Sequence, residues 1–243
     1  MKRLAGRILI VLSLGALLGV AGPVAPCDPE GADFCGLERA EDVVFLPGTS
    51  WFAVSNASSA APLVLIDSRS RRRVAIAAPL ESVADGVSGA GSVGSGTPGA
   101  AGAADCPGPP AQFRAGGNDA RRTGGSIRLV VLNKPEPGPA STAAPDRIEF
   151  LSIAFRGSAP RARWLGCVVV PAAWSLNDVA LATDGTVYGS HQFDRPASAA
   201  EAAATRQKWL DGSPTGHAVQ WRRSDGWTRV PDTDVSFANG IAV

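Results

Sequence analysis

Five oxygen-bearing side chains stand at the heads of short apolar segments. Glu41 and Asp42 lie in Ala40-Glu41-Asp42-Val43-Val44, and Asn177 and Asp178 in Leu176-Asn177-Asp178-Val179-Ala180. Asn239 lies in Phe237-Ala238-Asn239-Gly240-Ile241. Carboxylates and carboxamides in this arrangement suit a hard cation, because calcium takes roughly six to eight oxygen ligands. Asp and Asn at strand starts also cap turns through their own backbone. The same residues therefore have a structural reading beside the chemical one.

The elements that must position them are strands. Leu46-Pro47-Gly48-Thr49-Ser50-Trp51-Phe52-Ala53-Val54 and Ala182-Thr183-Asp184-Gly185-Thr186-Val187-Tyr188-Gly189 follow the first two segments as a turn and a second strand. A strand, a turn and a strand recurring at wide intervals predict a β-propeller, with the cation on its axis. Four short strands at Asp42–Leu46, Trp51–Val54, Leu63–Ile66 and Arg73–Ile76 make one antiparallel sheet. A second sheet combines a weak strand near Gln112–Gly116 with Ile127–Leu132, Arg147–Ile153 and Trp164–Val170. A third runs from Asn177 through Thr186–Tyr188 and His217–Trp221 to Gly226–Val230, with a short helix at Ala197–Leu210. Ala115, Asn177 and Asn239 are equally spaced, at an interval longer than the ~40–45 residues of a usual blade, so long connecting loops are expected. The fold class expected is all-β: an incomplete propeller of about three blades, with a fourth opening at Phe237. Such a chain is a fragment, or a shortened protein that needs a partner to cover its open ends.

The bulk properties narrow the partners. The chain has 243 residues and a formal net charge of +1 with both signs interspersed, so nothing electrostatic points to nucleic acid. The run Arg69-Ser70-Arg71-Arg72-Arg73 lies between two apolar strands and reads as a solvated hairpin turn. Lys2, Arg3 and Arg7 precede an apolar stretch from Ile8 to Ala21, which reads as a secretory signal or an uncleaved signal anchor over residues 1–22. Export to the periplasm or outside the cell is expected, with any membrane attachment through that anchor alone. Residues 23–243 then form the propeller domain, interrupted at 83–104 by a Gly/Ala/Ser tract expected to be disordered. Cys27, Cys35, Cys106 and Cys167 make disulfides plausible in an exported chain, in any of three pairings. Their spacing matches no zinc pattern.

The segments from Glu41 to Val43, from Leu176 to Ala180 with Tyr188-Gly189, and from Phe237 to Ile241 resemble the arylesterase/paraoxonase family. More widely, they resemble the gluconolactonase (SMP-30) and strictosidine-synthase-like six-bladed propellers. The resemblance runs from about Glu41 to the C-terminus, with the Gly/Ala/Ser tract as a gap. It implies a calcium-dependent hydrolase of small-molecule esters or lactones. Glu41, Asn177 and Asn239 would then be ligands of a catalytic calcium, and Asp42 and Asp178 of a second, structural one. Adjacent strand residues point to opposite sides, so each pair can serve two sites. The catalytic ion would polarise the substrate carbonyl or activate a water.

The chain departs from that family in its histidines. The family's Pro-His-Gly aligns with Arg114-Ala115-Gly116, and its Val-Asn-His-Pro with Leu132-Asn133-Lys134-Pro135, so both histidines of the dyad are replaced. A lysine takes over from histidine only where burial lowers its pKa by several units. His191, after Tyr188-Gly189-Ser190, is the candidate catalytic imidazole. His217, in an outer strand, is expected to be structural. No Gly-x-Ser-x-Gly elbow supports a serine triad. The missing dyad leaves a second reading open, a non-catalytic propeller binding module or degenerate relative. A third, strictosidine-synthase-like condensation chemistry, is disfavoured by the acidic ligands.

Overall fold

The computed structural model describes residues 37, 39–56, 61–78, 80, 101–134, 144–157 and 159–243. Residues 1–22, read above as a signal, Cys27, Cys35 and residues 83–100 of the Gly/Ala/Ser tract lie outside the described residues. Among the described residues, no helix is long and apolar enough to cross a membrane.

The described chain is β-rich. Its first sheet is β1 (Ala40–Phe45), β2 (Trp51–Asn56), β3 (Leu63–Asp67) and β4 (Arg73–Ile76). The second is β5 (Ala115–Thr123), β6 (Ser126–Asn133), β7 (Arg147–Arg156) and β8 (Ala159–Val169). The third is β9 (Trp174–Leu181), β10 (Val187–Asp194), β11 (His217–Arg222) and β12 (Gly226–Arg229). Each sheet is an antiparallel meander with its strands in chain order, and none closes on itself. The first strands are neighbours, β1 beside β5 and β5 beside β9.

The middle sheet is apolar on both faces. Ile127, Leu129 and Val131 of β6 point into a core shared with the first sheet, together with Trp51, Leu63, Leu65 and Ile76. The alternate residues Val130 and Leu132 point into a core shared with the third sheet, with Leu176, Val179, Val187 and Trp221. A strand buried on both faces reads as a continuous apolar run instead of an alternating one. That is the pattern of Leu129–Leu132.

β5 is where the structure corrects the expected strand. The expectation placed it near Gln112–Gly116, but it spans Ala115–Thr123. Its polar sequence, Gly116-Gly117-Asn118-Asp119-Ala120-Arg121, gives no apolar alternation to read. Instead it pairs with β6 from Asn118–Val131 to Thr123–Ser126, and its polar groups are used between sheets.

Those uses form a repeated device. In β1, the Asp42 carboxylate accepts the Val43 N–H (2.8 Å) on one oxygen and the Asn118 N–H of β5 (2.6 Å) on the other. In β5, Asp119 accepts Ala120 N–H (2.8 Å) and Leu181 N–H of β9 (2.7 Å). In β9, Asp178 accepts Val179 N–H (2.7 Å) and Ile241 N–H of the C-terminal segment (2.9 Å). Each first strand thus clasps the next through one aspartate. A carboxylate bound to backbone N–H groups makes stronger hydrogen bonds than a neutral acceptor.

Two connections also matter. Residues 101–103, the end of the tract expected to be disordered, run along β8: Ala101 N–H donates to Leu165 O (3.3 Å) and Ala103 N–H to Cys167 O (2.9 Å). Ala101 is buried. A Cβ on Gly166 would meet Ala101 O at 1.8 Å, so this close approach needs a glycine. Cys106 and Cys167 form a disulfide in the same region.

The expected helix is α1 (Ala199–Asp211). Ser198 caps it by accepting Glu201 N–H, while the Glu201 carboxylate accepts the N–H of Ala197, the residue before the cap. Gly212 ends it with φ 75°. The arginine turn between β3 and β4 is exposed as expected, its Asp67 accepting from the Ser50 and Ser70 hydroxyls.

Replacing Asp119 by Ala removes the clasp between the second and third sheets and leaves the Leu181 N–H without its acceptor. We expect a loss of about 1–3 kcal/mol in urea unfolding. Asp119→Asn keeps one acceptor oxygen and should lose less. An unchanged midpoint for Asp119→Ala would show that the clasp is incidental.

Candidate functional site

At the inner edge of the three sheets the five residues singled out from sequence come together. Glu41, Asp42, Asn177, Asp178 and Asn239 line one cavity of about 310 Å³, with Gly117 and Gly240 completing its wall. They arrive from three elements: β1, β9 and the segment 237–241.

That last segment carries no regular structure, so its position rests on side-chain anchors. Ser190 of β10, fully buried, donates its hydroxyl to Asn239 O (3.0 Å) and accepts Asp178 N–H (2.9 Å). From outside, Trp209 of α1 donates to the Thr215 hydroxyl (2.9 Å), which accepts Phe237 N–H (3.2 Å). The Trp209 ring meets Phe237 edge-on at 4.8 Å. The exposed helix therefore acts as a brace for Asn239. Neither Ser190 nor Trp209 stood out in the sequence, because a positioning residue leaves no motif.

The five side chains divide in two. Asp42 and Asp178 are the clasp carboxylates, each with both oxygens held by backbone N–H groups. Among the described residues, the side chains of Glu41, Asn177 and Asn239 have no hydrogen-bond partner and are turned to the cavity. They offer one carboxylate and two carboxamide oxygens, a hard-donor set. Among the described residues there is no cluster of three or more His, Cys, Asp or Glu side chains poised to hold a metal. Any cation here would depend on the carboxamides.

Burial pushes the Asp178 carboxyl up from 3.8 to about 6; the Ile241 and Val179 N–H groups oppose the rise, while Asp42 and Asp119 add to it. Gly117 makes room for this group. A Cβ there would lie 2.1 Å from Asp178 Oδ1 and 2.5 Å from its Cα.

His191 lies elsewhere. It is 2 % exposed and packs between Trp174 (5.5 Å between ring centroids) and His217 (4.5 Å), its partner across β10 and β11. Its Nε2 is 3.2 Å from an Asp194 carboxylate oxygen. Burial and the neighbouring His217 lower its pKa, with Asp194 opposing. It does not line the cavity of Glu41 and Asn239. His217 is half-buried on β11, the third strand of its sheet, and lines a shallower cleft that also reaches Asn239.

Lys134 and Ala115 line a second cavity next to Glu41. Lys134 Nζ donates to Leu176 O (3.0 Å). Near it Asp146, 1 % exposed, accepts Leu176 N–H (3.2 Å) and pairs with Arg195. Burial raises the Asp146 pKa against the pull of Arg195 and Lys134. Glu149, fully buried, is raised likewise by burial; Trp164 Nε1, Arg147 and Asn133 Nδ2 all donate to it. Asn133 in turn accepts Arg114 N–H (2.9 Å), so Glu149 fixes the wall of this second cavity from behind.

No family model matches the chain, and no curated protein sequence matches it.

Two measurements test this geometry. Gly117→Ala should displace Asp178 and lower the unfolding midpoint, whereas Gly124→Ala, where a Cβ meets open space, should cost no more than its left-handed backbone demands. The raised Asp178 pKa fixes a sign: the native chain holds a proton that the unfolded chain releases near pH 4. Its stabilising contribution is complete below that pH and is lost as pH rises through about 6. In chelator, the stability difference between the wild type and Asp178→Asn should therefore shift in favour of the variant between pH 4 and pH 7. A pH-independent difference would rule out this titration.

Proposed function

We propose that the three sheets are blades of a six-bladed-type β-propeller that hydrolyses esters or lactones with calcium. The observation that carries this reading is the convergence of Glu41, Asn177 and Asn239 on one cavity, with Asp42 and Asp178 beside them. Three meander sheets with their first strands side by side support this reading, since propeller blades pack with their inner strands adjacent. Val43 and Phe45 on β1, and Val235 and Phe237 beyond β12, are exposed apolar side chains at the two ends of the series.

A calcium ion in this site would polarise a substrate carbonyl or acidify a bound water. Glu41, Asn177 and Asn239 would hold it. Asp42 and Asp178 would serve a second ion through lone pairs not used by the backbone, since each carboxylate has about four acceptor positions for its two N–H partners. The chain's own residues do the positioning: Ser190 sets Asn239 against Asp178, and Gly117 lets the carboxylate in.

One observation favours the second reading, a binding module without catalysis. Neither cavity at Glu41 contains an imidazole, and where the family has one the cavity wall carries Lys134. The hydrolase reading then assigns proton acceptance to Glu41 or to solvent.

Calorimetric titration of the purified chain with calcium separates the readings. We expect binding that Asn177→Ala and Asn239→Ala each weaken by about tenfold or more, with calcium-dependent cleavage of phenyl acetate or a γ-lactone. Calcium binding without cleavage supports the module. Calcium binding that both substitutions leave intact removes the site assignment altogether.

A further inference from the structure

Arg128 interrupts the apolar run of β6, two residues before Val130, at the rim of the core shared by the second and third sheets. Its Nε is buried without a hydrogen-bond partner, and among the described residues nothing pairs with its guanidinium. It lines a cavity of about 690 Å³, together with Phe150, Trp221, Asp184, Thr186 and Arg222. We propose that this cavity binds a small aromatic acid, with the ligand's carboxylate on the Arg128 guanidinium.

The unused donor sets the sign of the ligand. A buried donor on a cation is costly to leave unpaired, because it has given up water without gaining an acceptor. Arg121 stands opposite Arg128 in the pairing of β5 with β6, and like charges in that position destabilise a sheet. An anion on Arg128 relieves both.

The carboxylate already on the wall answers a different arginine. Asp184 accepts Thr186 N–H (2.9 Å), and the Thr186 hydroxyl accepts Arg222 Nε (3.2 Å). The Thr186 N–H and hydroxyl, with the Arg222 charge, hold the Asp184 carboxyl below its usual range. Asp184 is therefore an anion committed to Thr186 and Arg222. Arg223, also on the wall, has a partner of its own and is not among the proposed contacts. A dianion such as phosphate would face Asp184 with a second negative charge, whereas a single carboxylate matches the one unpaired guanidinium.

The surroundings select the rest of the molecule. With Nε unused, the guanidinium keeps the edge that meets a carboxylate through two parallel hydrogen bonds. Ala101, Phe150 and Trp221 belong to the core and also line the cavity, with the two rings tilted at 6.5 Å between centroids. They give the ligand an apolar wall beside its charged contact. The volume lies within the roughly 300–1,000 Å³ usual for small-molecule sites.

The position has a mechanical consequence. Arg128 comes from the second sheet, and Asp184, Thr186 and Arg222 come from the third, so an occupant bridges the two. The cavity shares no lining residue with that of Glu41, and its ligand is independent of the hydrolase reading.

The test is a saturation-transfer NMR titration of the full chain in chelator, with benzoate, uncharged benzamide and acetate as probes. Benzoate should bind, while benzamide, without the charge, and acetate, without the ring, should each bind about tenfold more weakly. Arg128→Gln should weaken benzoate about tenfold. Arg206→Gln, exposed on α1, should leave it unchanged. Saturating benzoate should raise the urea midpoint of the wild type and not that of Arg128→Gln. Equal binding of benzoate and benzamide overturns the proposal on the wild-type chain alone, whether or not a variant folds. Benzoate binding unchanged in Arg128→Gln also overturns it, as do equal losses in the two arginine variants. Inorganic phosphate binding more tightly than benzoate does the same.

Discussion

Everything at the inner edge of this molecule depends on a carboxylate accepting two backbone N–H groups, one from its own strand and one from the next. Asp42, Asp119 and Asp178 each do this. The first strands of successive sheets lie side by side without pairing as a ladder, so their N–H groups would otherwise lack acceptors away from water. An unsatisfied buried N–H costs on the order of 1–3 kcal/mol. The aspartates meet that demand and set the spacing between sheets. They also bring negative charges close together, which is why burial and its neighbours raise Asp178. The same residues are therefore structural and electrostatically coupled.

Around this edge the apolar architecture is simple. The middle sheet feeds two cores through alternate residues of β6, and the outer sheets each contribute to one. A shift of one residue in β6 would exchange Leu129 and Val131 for Val130 and Leu132 and disrupt both cores at once. Register is thus enforced twice in the strand nearest β5. That constraint lets a strand as polar as β5 hold its place, with Asn118 buried and its Nδ2 donating to Ser55 (2.8 Å).

Much of this could be read from the sequence where apolar pattern or turn chemistry spoke. Leu63–Ile66, Ile127–Leu132 and Arg147–Ile153 all lie within strands, and Ser198 and Gly212 bound a helix predicted from its alanines. Glu41, Asp42, Asn177, Asp178 and Asn239 share one cavity, although Asn177 and Asp178 stand in the middle of β9 and Asn239 in no strand. β5 was misplaced because a strand that satisfies its polar groups between sheets has no alternation to detect. Asp119 was missed for the same reason, since the clasp is visible only once β9 is beside it. Packing cannot be read from a lone histidine, so the sequence did not reveal that His191 is enclosed by Trp174 and His217. Nor did it show that Lys134 and Arg195, distant in sequence, share a recess.

The aspartate clasp has a direction. Asp42 reaches forward to β5, Asp119 forward to β9 and Asp178 forward to Ile241, and none reaches back. Each sheet thus carries its own half of the joint to its successor and needs from that successor only a backbone N–H, which almost any residue supplies. A gene duplication that copied one whole sheet would copy the aspartate with it, and the new unit would dock on both sides without any compensating mutation. Polarity of this kind makes the repeat an inheritable module, and lets the rest of each sheet's sequence drift while the inner edge stays joined.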